Sequence, residues 1–166
     1  MSYQIRPLDH SAETTGFACG EAVLDEYLKR YAAQDIKRGV ARAFVASPID
    51  TLSVVAGFYT LSAASIATET LPEQWRKKLP RYPVPVALLG RLAVNLASQE
   101  QGLGSILLAD ACKRVAAASK TLAVTAIVVD AKSPKAASFY QHFGFIELPG
   151  QPGRWMLPRS HFAGLV

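Results

Sequence analysis

The chain of 166 residues contains little cysteine and little histidine, two residue types that often hold structural metals. Cys19 and Cys112 are far apart in sequence, and His10, His142 and His161 form no closely spaced pair. This set offers no zinc-ligand spacing and little support for a disulfide framework. We therefore expect no metal site, and we expect both thiols to pack as small apolar groups.

Long hydrophobic runs are also missing. The longest, residues 54–59 and 84–89, fall well short of the roughly 18 apolar residues that a membrane-spanning helix needs, and we interpret them as buried strands. The N-terminus lacks the basic segment, apolar stretch and cleavage site of a secretory signal, which predicts a cytoplasmic location. Because no repetitive or Pro/Ser-rich linker interrupts the chain, we predict one domain spanning residues 1–166.

The chain does contain many hydrophobic residues, at 50%, and an excess of positive charge. With only 19% charged residues, this composition is typical of a compact globular protein and not of a disordered one. The net charge of +5 favours a polyanion or an anionic cofactor as a partner. The net charge alone does not distinguish a polyanion from an anionic cofactor.

Hydrophobic periodicity and turn residues predict a mixed α/β domain in which helices cover a sheet. One helix is predicted over residues 21–37, with Gly39 at its end, and a second over residues 102–118. Residues 75–85, rich in proline and basic side chains, are predicted to form an exposed excursion. Strands are predicted at residues 3–7, 41–46, 53–61, 85–94, 124–129, 145–147 and 155–157, the second and third forming an antiparallel hairpin.

A third helix has clear signals at both ends. Ser133 is a suitable N-cap, and Pro134 suits the first turn, where its missing N–H costs nothing. Gly144 is a typical residue to follow the last turn. The apolar positions share one helix face: Ala136, Phe139, Tyr140 and Phe143.

The most informative segment joins a strand end, a tight turn and a helix N-terminus, at residues 91–95 and 99–105. Backbone N–H groups and the positive end of the helix dipole meet there, and glycines let an anion approach the main chain closely. Such a turn is suited to binding phosphates. On Gly102 and Gly104 alone, an ordinary strand-to-helix turn explains the pattern equally well.

Two motifs in this order resemble those of GNAT acetyltransferases. The turn Gln-Glu-Gln-Gly-Leu-Gly at residues 99–104 resembles the family's pyrophosphate loop, and residues 136–145 are similar to its later helix with the ending FYxxxGF. Further segments look like the GNAT toxins that pair with ribbon-helix-helix antitoxins: residues 17–28, 57–62, 79–85 and 89–94. The resemblance covers nearly the whole chain and implies a single-domain GNAT fold with a mixed, mostly antiparallel sheet flanked by helices.

The resemblance implies an acetyl-CoA site. The backbone of Leu92, Ala93 and Val94 would lie along the acetyl group, with the amides of Ala93 and Val94 near the thioester. The remaining residues of this predicted site are Gln99, Glu100, Gln101, Gly102, Leu103, Gly104, Ser105 and Ser133. For Gln99, Gln101 and Ser133, an ordinary role in a turn or cap is an equal alternative.

Two residues depart from the family pattern. The family usually has glycine where Glu100 stands and often has arginine where Ser105 stands. The extra carboxylate and the missing cation weaken coenzyme binding if these side chains face the pyrophosphate. We expect a small effect if Glu100 points to solvent and keeps an ordinary backbone conformation.

Tyr140 is implied by the resemblance as the general acid that protonates the departing coenzyme A thiolate. A phenol with an ordinary pKa near 10 is protonated at neutral pH and can donate that proton. Asp130 and Glu147 are the carboxylates available as a general base, but an α-amine with a pKa near 8 needs little help, so we assign no base.

The toxin branch acetylates the α-amine of aminoacyl-tRNA, which implies an RNA partner, an antitoxin partner and a homodimer. Trp75 and Tyr82 flank a basic cluster and could stack on a terminal base. The basic residues predicted to bind tRNA are Lys29, Arg38, Arg76, Lys77, Lys78 and Arg81. Two alternatives stay open: a GNAT enzyme acting on a small amine or a protein N-terminus, and a catalytically impaired GNAT domain with an interaction role.

Overall fold

The computed structural model describes residues 2–164 and confirms the predicted α/β class. Within this range there are seven strands: β1 (Tyr3–Pro7), β2 (Arg42–Pro48), β3 (Gly57–Ile66), β4 (Val84–Val94), β5 (Ala126–Asp130), β6 (Ile146–Glu147) and β7 (Arg154–Pro158). The α-helices of the same range are α1 (Ala22–Glu26), α2 (Ala32–Lys37), α3 (Glu73–Arg76), α4 (Leu103–Ala118) and α5 (Pro134–His142).

The strands form one sheet in the order β1-β2-β3-β4-β5-β7-β6. β1 pairs antiparallel with β2, and β2 with β3, while β7 pairs antiparallel with both β5 and β6. β4 and β5 pair in parallel. The predicted mixed, mostly antiparallel sheet is thus confirmed.

The described chain divides into two compact units. The first combines the segment up to Ser62 with Gly90–Ala111, and the second combines Ala63–Leu89 with the segment from Cys112 onward. Strands β3 and β4 and helix α4 contribute residues to both units. The organisation as one domain over residues 1–166 stays a prediction.

The core of the first unit is built around stacked aromatic rings. Phe17 meets Phe58 edge to face at 5.5 Å between centroids, and Tyr27 lies nearly parallel to Phe58 at 6.5 Å. These contacts are typical of favourable aromatic pairs. The buried members of the cluster are Phe17, Tyr27, Leu28, Ala32, Val45, Val55, Phe58 and Ala93.

The core of the second unit is mostly aliphatic. Side chains of β3, β4, β5 and β7 meet there with residues from the segments that follow β3 and β6. Its buried members are Ile66, Leu71, Val84, Val86, Ala126, Val128, Leu148 and Met156. Both β4 and β5 therefore supply apolar side chains to this unit, as the predicted buried strands require.

The structure corrects three predicted boundaries. The helix predicted over residues 21–37 is interrupted by a π-helical turn, Tyr27–Tyr31, which separates α1 from α2. β3 begins at Gly57 and not at residue 53, because the chain before it forms turns in which Thr51 N–H donates to Pro48 O and Val54 N–H to Thr51 O. The excursion predicted over residues 75–85 overlaps the short helix α3.

None of the helices in the described range is long and apolar enough to cross a membrane.

Candidate active site

The segment after β4 leads into the predicted phosphate-binding turn. Asn95 N–H donates to Ala56 O at 2.8 Å, which keeps the end of β4 attached to the segment before β3. The Asn95 side chain then caps a short 3₁₀ turn, Leu96–Ser98, by accepting a hydrogen bond from Ala97 N–H at 3.2 Å. Helix α4 begins five residues beyond this turn, at Leu103.

The Gln99 side chain braces this segment. Its amide nitrogen donates to Val94 O and to Cys19 O, each at 2.9 Å. The amide thereby ties the turn to the end of β4 and to a loop eighty residues earlier in the chain. Of the two roles left open for Gln99, the geometry favours the structural one for the side chain. No sequence signal identified these two carbonyl partners.

The loop between Gln99 and α4 has an unusual backbone. Glu100 adopts φ +64° and Gly102 adopts φ +81°. For a non-glycine residue the left-handed region costs about 1–2 kcal/mol, which explains physically why glycine is usual at the position of Glu100. A small effect of Glu100 on coenzyme binding is expected if its side chain points to solvent and its backbone is ordinary. The side chain is exposed, but the backbone is left-handed.

The loop fits the pyrophosphate of a coenzyme. Residues 100–102 are exposed, and an ideal Cβ at Gly102 would meet no atom within 4 Å, so the main chain there can be approached closely. Helix α4 has sixteen residues, and the N–H groups of its first turn, at Leu103, Gly104 and Ser105, have no intrahelical acceptor. These donors and the helix dipole favour an anion at this position. Leu103 is buried, so its side chain is not available to the coenzyme.

The end of β4 presents its backbone N–H groups alternately to two sides. Asn95, the first residue past this strand, donates its N–H to Ala56 O. The amides of Ala93 and Val94 therefore stay the predicted donors to an acetyl carbonyl. The parallel pairing with β5 involves Ala87, Leu88 and Leu89, and β4 continues past them to Val94.

Tyr140 lies in α5, in the second unit, and its ring is buried with 7% of its surface exposed. The ring packs against Phe139 at 5.3 Å and Phe145 at 5.2 Å between centroids. Burial raises the pKa of the Tyr140 phenol to about 12, because the charged phenolate loses hydration there. The phenol is therefore protonated throughout the physiological range, as a general acid must be.

The ends of α5 are as predicted. Ser133 Oγ accepts a hydrogen bond from Ala136 N–H at 3.1 Å, and Pro134 occupies the first turn. Gly144 adopts φ +94° after the last turn, and Phe145 N–H donates to Tyr140 O at 3.1 Å. N-capping thus accounts for the Ser133 hydroxyl, one of the two roles proposed for it.

The carboxylates considered as a base are engaged in other contacts. Both oxygens of Asp130 accept hydrogen bonds from the Arg154 guanidinium, at 2.9 and 3.1 Å. This ion pair holds the pKa of the Asp130 carboxyl below its ordinary value, so Asp130 is a weak proton acceptor. Glu147 accepts a hydrogen bond from Gly153 N–H at 3.1 Å.

The two thiols are poor nucleophiles. Desolvation raises the pKa of Cys19 and of Cys112 to about 11, so both are protonated at neutral pH. At Cys19, the neighbouring Asp25 also disfavours the thiolate and so raises the pKa as well. Thiolate chemistry therefore has no support at either position.

The basic residues predicted to bind tRNA are all exposed, and they fall into two groups. Lys29 lies on the π-helical turn and Arg38 follows α2, in the first unit. In the second unit, Lys77 pairs with Glu73 at 3.3 Å, and the Lys78 ammonium lies 5.5 Å from the centroid of the Trp75 ring. The members of this second group are Arg76, Lys77, Lys78 and Arg81.

Comparison with known proteins identifies the family of this chain. The model of the acetyltransferase (GNAT) domain matches residues 49–147. A tRNA-acetylating toxin from Mycobacterium tuberculosis is 39% identical over 161 residues, which cover 97% of this chain and 95% of the relative.

Solved structures of toxins show the same fold. A mutant of KacT matches with a TM-score of 0.94 at 30% identity, covering all of both chains. AtaT complexed with acetyl-methionyl-tRNAfMet matches with a TM-score of 0.90 at 29% identity over 96% of each chain. An AtaT mutant bound to the C-terminus of the antitoxin AtaR and to acetyl-CoA matches with a TM-score of 0.82 at 26% identity, covering 96% of this chain and 95% of that one. This chain therefore belongs to the GNAT family and is an N-acetyltransferase.

Proposed function

We propose that this chain is a toxin that transfers the acetyl group of acetyl-CoA to the α-amine of an aminoacyl-tRNA and thereby blocks translation. The observation that carries the proposal is the loop before α4, where the main chain is exposed and left-handed at Glu100 and Gly102. The similarity of this chain to a tRNA-acetylating toxin over nearly its whole length supports the choice of aminoacyl-tRNA as acceptor.

The residues have distinct tasks in this reaction. The amides of the first turn of α4 and of the loop would hold the coenzyme phosphates, and the N–H groups of Ala93 and Val94 would polarise the acetyl carbonyl. Acetyl-CoA supplies an activated thioester whose leaving group is a thiolate. Tyr140 keeps its proton at neutral pH and donates it to the leaving sulfur.

Deprotonation of the acceptor needs no dedicated side chain. An α-amine with a pKa near 8 is partly neutral at physiological pH. Asp130 is already bonded to Arg154, which removes it as a base. The exposed cations Lys29, Arg38, Arg76, Lys77, Lys78 and Arg81 attract the RNA backbone.

The same proposal extends to the setting of the protein. The toxin acts in the cytoplasm as one domain over residues 1–166, forms a homodimer, and is inhibited by a ribbon-helix-helix antitoxin that covers the coenzyme or tRNA site. The solved complex of an AtaT mutant with part of its antitoxin supports the antitoxin as a partner.

The test has two stages. Calorimetric titration with acetyl-CoA measures whether the loop binds the coenzyme despite Glu100. Transfer of radiolabelled acetyl groups is then measured on a mixture of aminoacyl-tRNAs, with deacylated tRNA, which lacks the α-amine, as the control. Labelling of the aminoacyl-tRNA alone supports the proposal. Labelling of polyamines but not of aminoacyl-tRNA would favour the small-amine enzyme, and absence of coenzyme binding would favour a non-catalytic domain.

A further inference from the structure

Arg91 makes an unusual contact within the first unit. Its guanidinium carbon lies 3.5 Å from the centroid of the Tyr27 ring, well inside the range of a cation–π interaction. The Tyr27 ring is itself held in place, because it stacks on Phe58 and its hydroxyl donates to Asp35 Oδ2 at 2.9 Å. The Arg91 guanidinium thus lies against a ring that is itself held in place.

Tyr27 occupies the first position of the π-helical turn. Such turns are rare, and they are frequent at functional sites. Here the turn buries Tyr27 and Leu28 side by side, while Lys29, Arg30 and Tyr31 stay exposed. The turn therefore places one aromatic ring under Arg91 and two cations on the adjoining surface.

The Arg91 guanidinium has N–H donors that are available to a ligand. It is half-buried, and no carboxylate or carbonyl of residues 2–164 accepts a hydrogen bond from it. The nearby carboxylate Asp35 is bonded to the Tyr27 hydroxyl. A half-buried cation without an acceptor is costly, and a planar guanidinium is shaped to bind two oxygens of a phosphate.

The geometry points to Arg91 as the residue that binds the phosphate of the 3′-terminal nucleotide of the aminoacyl-tRNA. This assignment rests on the proposed function. Arg91 is three residues before Val94, which corresponds to about 10 Å along a strand. That span suits a nucleotide whose aminoacyl group reaches the end of β4.

The coenzyme is a less suitable partner for Arg91. Its phosphates have their own donors in the loop and in the first turn of α4. Arg91 instead contacts the helical segment that carries the exposed residues Lys29 and Arg38. The contact with the Tyr27 ring also limits where the guanidinium can lie.

Two variants and one control test the assignment. Arg91→Gln removes the charge and the paired donors, whereas Arg91→Lys keeps the charge but loses the planar donor geometry. Lys113→Gln removes one exposed charge from α4 and serves as the matched control. Each protein is assayed for acetylation of aminoacyl-tRNA, for acetylation of an amino-acid methyl ester, which has no phosphate, and for acetyl-CoA binding by calorimetry.

We expect Arg91→Gln to raise the KM for aminoacyl-tRNA by about tenfold to a hundredfold, the range for hydrogen bonds to a charged group. Its acetyl-CoA affinity and its rate on the methyl ester stay at the wild-type level. Arg91→Lys recovers part of the loss, and Lys113→Gln changes the KM less than about twofold.

Two results would overturn the assignment while leaving the proposed function intact. One is an unchanged KM for aminoacyl-tRNA in Arg91→Gln. The other is an equal loss with both acceptors, which indicates a structural effect on the end of β4. If the wild-type protein acetylates the methyl ester but not aminoacyl-tRNA, the proposed function fails, and the role of Arg91 fails with it.

Discussion

Tyr140 combines a buried ring with a chemical group that keeps its proton. The Tyr140 ring packs against its aromatic neighbours Phe139 and Phe145, and these ring contacts account for its burial. The hydroxyl adds nothing to that packing. A change that removes only the oxygen therefore separates chemistry from structure.

We expect Tyr140→Phe to lower kcat for acetyl transfer by about a hundredfold to ten-thousandfold, the usual range for loss of a general acid. Acetyl-CoA affinity and thermal stability should stay close to wild type, because the ring keeps its contacts. Steady-state acetylation and calorimetry measure the two effects. Tyr82→Phe, at an exposed tyrosine, is the control. Near-normal turnover in Tyr140→Phe would remove Tyr140 from the reaction.

The raised pKa of Tyr140 also predicts the pH profile. The acid form of the phenol exists below its pKa of about 12, so its ionisation causes no loss of rate at moderately alkaline pH. The acceptor amine must be neutral, so kcat/KM should rise as pH passes through about 8. Rates measured from pH 6 to 10 check this. A falling limb near pH 9 would contradict the assignment of a buried, protonated phenol.

Glu100 combines a left-handed backbone with an exposed carboxylate in the loop before α4. The left-handed backbone and the added carboxylate are two separate disadvantages, and two variants distinguish them. Glu100→Gln removes only the charge, whereas Glu100→Gly removes the charge and relieves the backbone.

Both variants should bind acetyl-CoA more tightly than wild type, and Glu100→Gly should also be more stable by about 0.5–1 kcal/mol. Calorimetry measures the affinity, and urea unfolding measures the free energy of unfolding. Gln101→Gly, at the exposed neighbour, is the control for added flexibility. If Glu100→Gly binds the coenzyme more weakly than wild type, the Glu100 side chain contributes to binding instead of opposing it.

At the scale of elements, the site depends on how closely β3, β4 and α4 approach one another. An ideal Cβ at Gly57 would lie 2.9 Å from Leu107 Cδ1 and 3.0 Å from Ala93 O. The second neighbour is backbone, which cannot move aside without shifting the end of β4. Glycine at this position therefore positions the strand end that carries Ala93 and Val94.

Gly57→Ala should lower the free energy of unfolding by about 1–3 kcal/mol, as overpacking does elsewhere. It should also weaken acetyl-CoA binding, because the end of β4 is displaced. Chemical denaturation and calorimetry measure these effects. Gly16→Ala, where a Cβ would meet nothing within 4 Å, is the matched control. Equal stability of the two variants would show that the neighbours of Gly57 relax at no cost.

At the scale of the whole molecule, the net charge of +5 favours the binding of RNA but gives no sequence preference. The exposed cations lie both on the first helical segment and around α3. Each cation that neutralises a phosphate releases counterions, so tRNA affinity must fall as salt rises.

We expect Arg76→Gln to reduce the slope of log affinity against log salt by about 1, with a uniform loss across tRNA species. Fluorescence anisotropy with labelled tRNA at several salt concentrations measures the slope. Lys120→Gln, which removes an exposed charge after α4, should leave the slope unchanged. Equal slopes in wild type and Arg76→Gln would exclude Arg76 from the RNA contact.

The sequence by itself determined the features that are encoded locally. Helix α5 follows from its N-cap Ser133, from Pro134 and from Gly144, all within one short segment. The turn before α4 follows from its glycines, while its binding of phosphates stays a prediction. Strand periodicity indicated most of the sheet, because alternation of apolar residues requires no knowledge of distant neighbours.

The tertiary structure decided whatever depends on residues far apart in the chain. One example is the π-helical turn that contains the buried residues Tyr27 and Leu28, because a pattern with helical spacing does not distinguish such a turn from an ordinary helix. The Gln99 brace reaches back to Cys19, and Arg91 finds its aromatic support in Tyr27. These contacts arise only when the folded chain brings distant segments together, so neither side of each pair carries a sequence signal of the other.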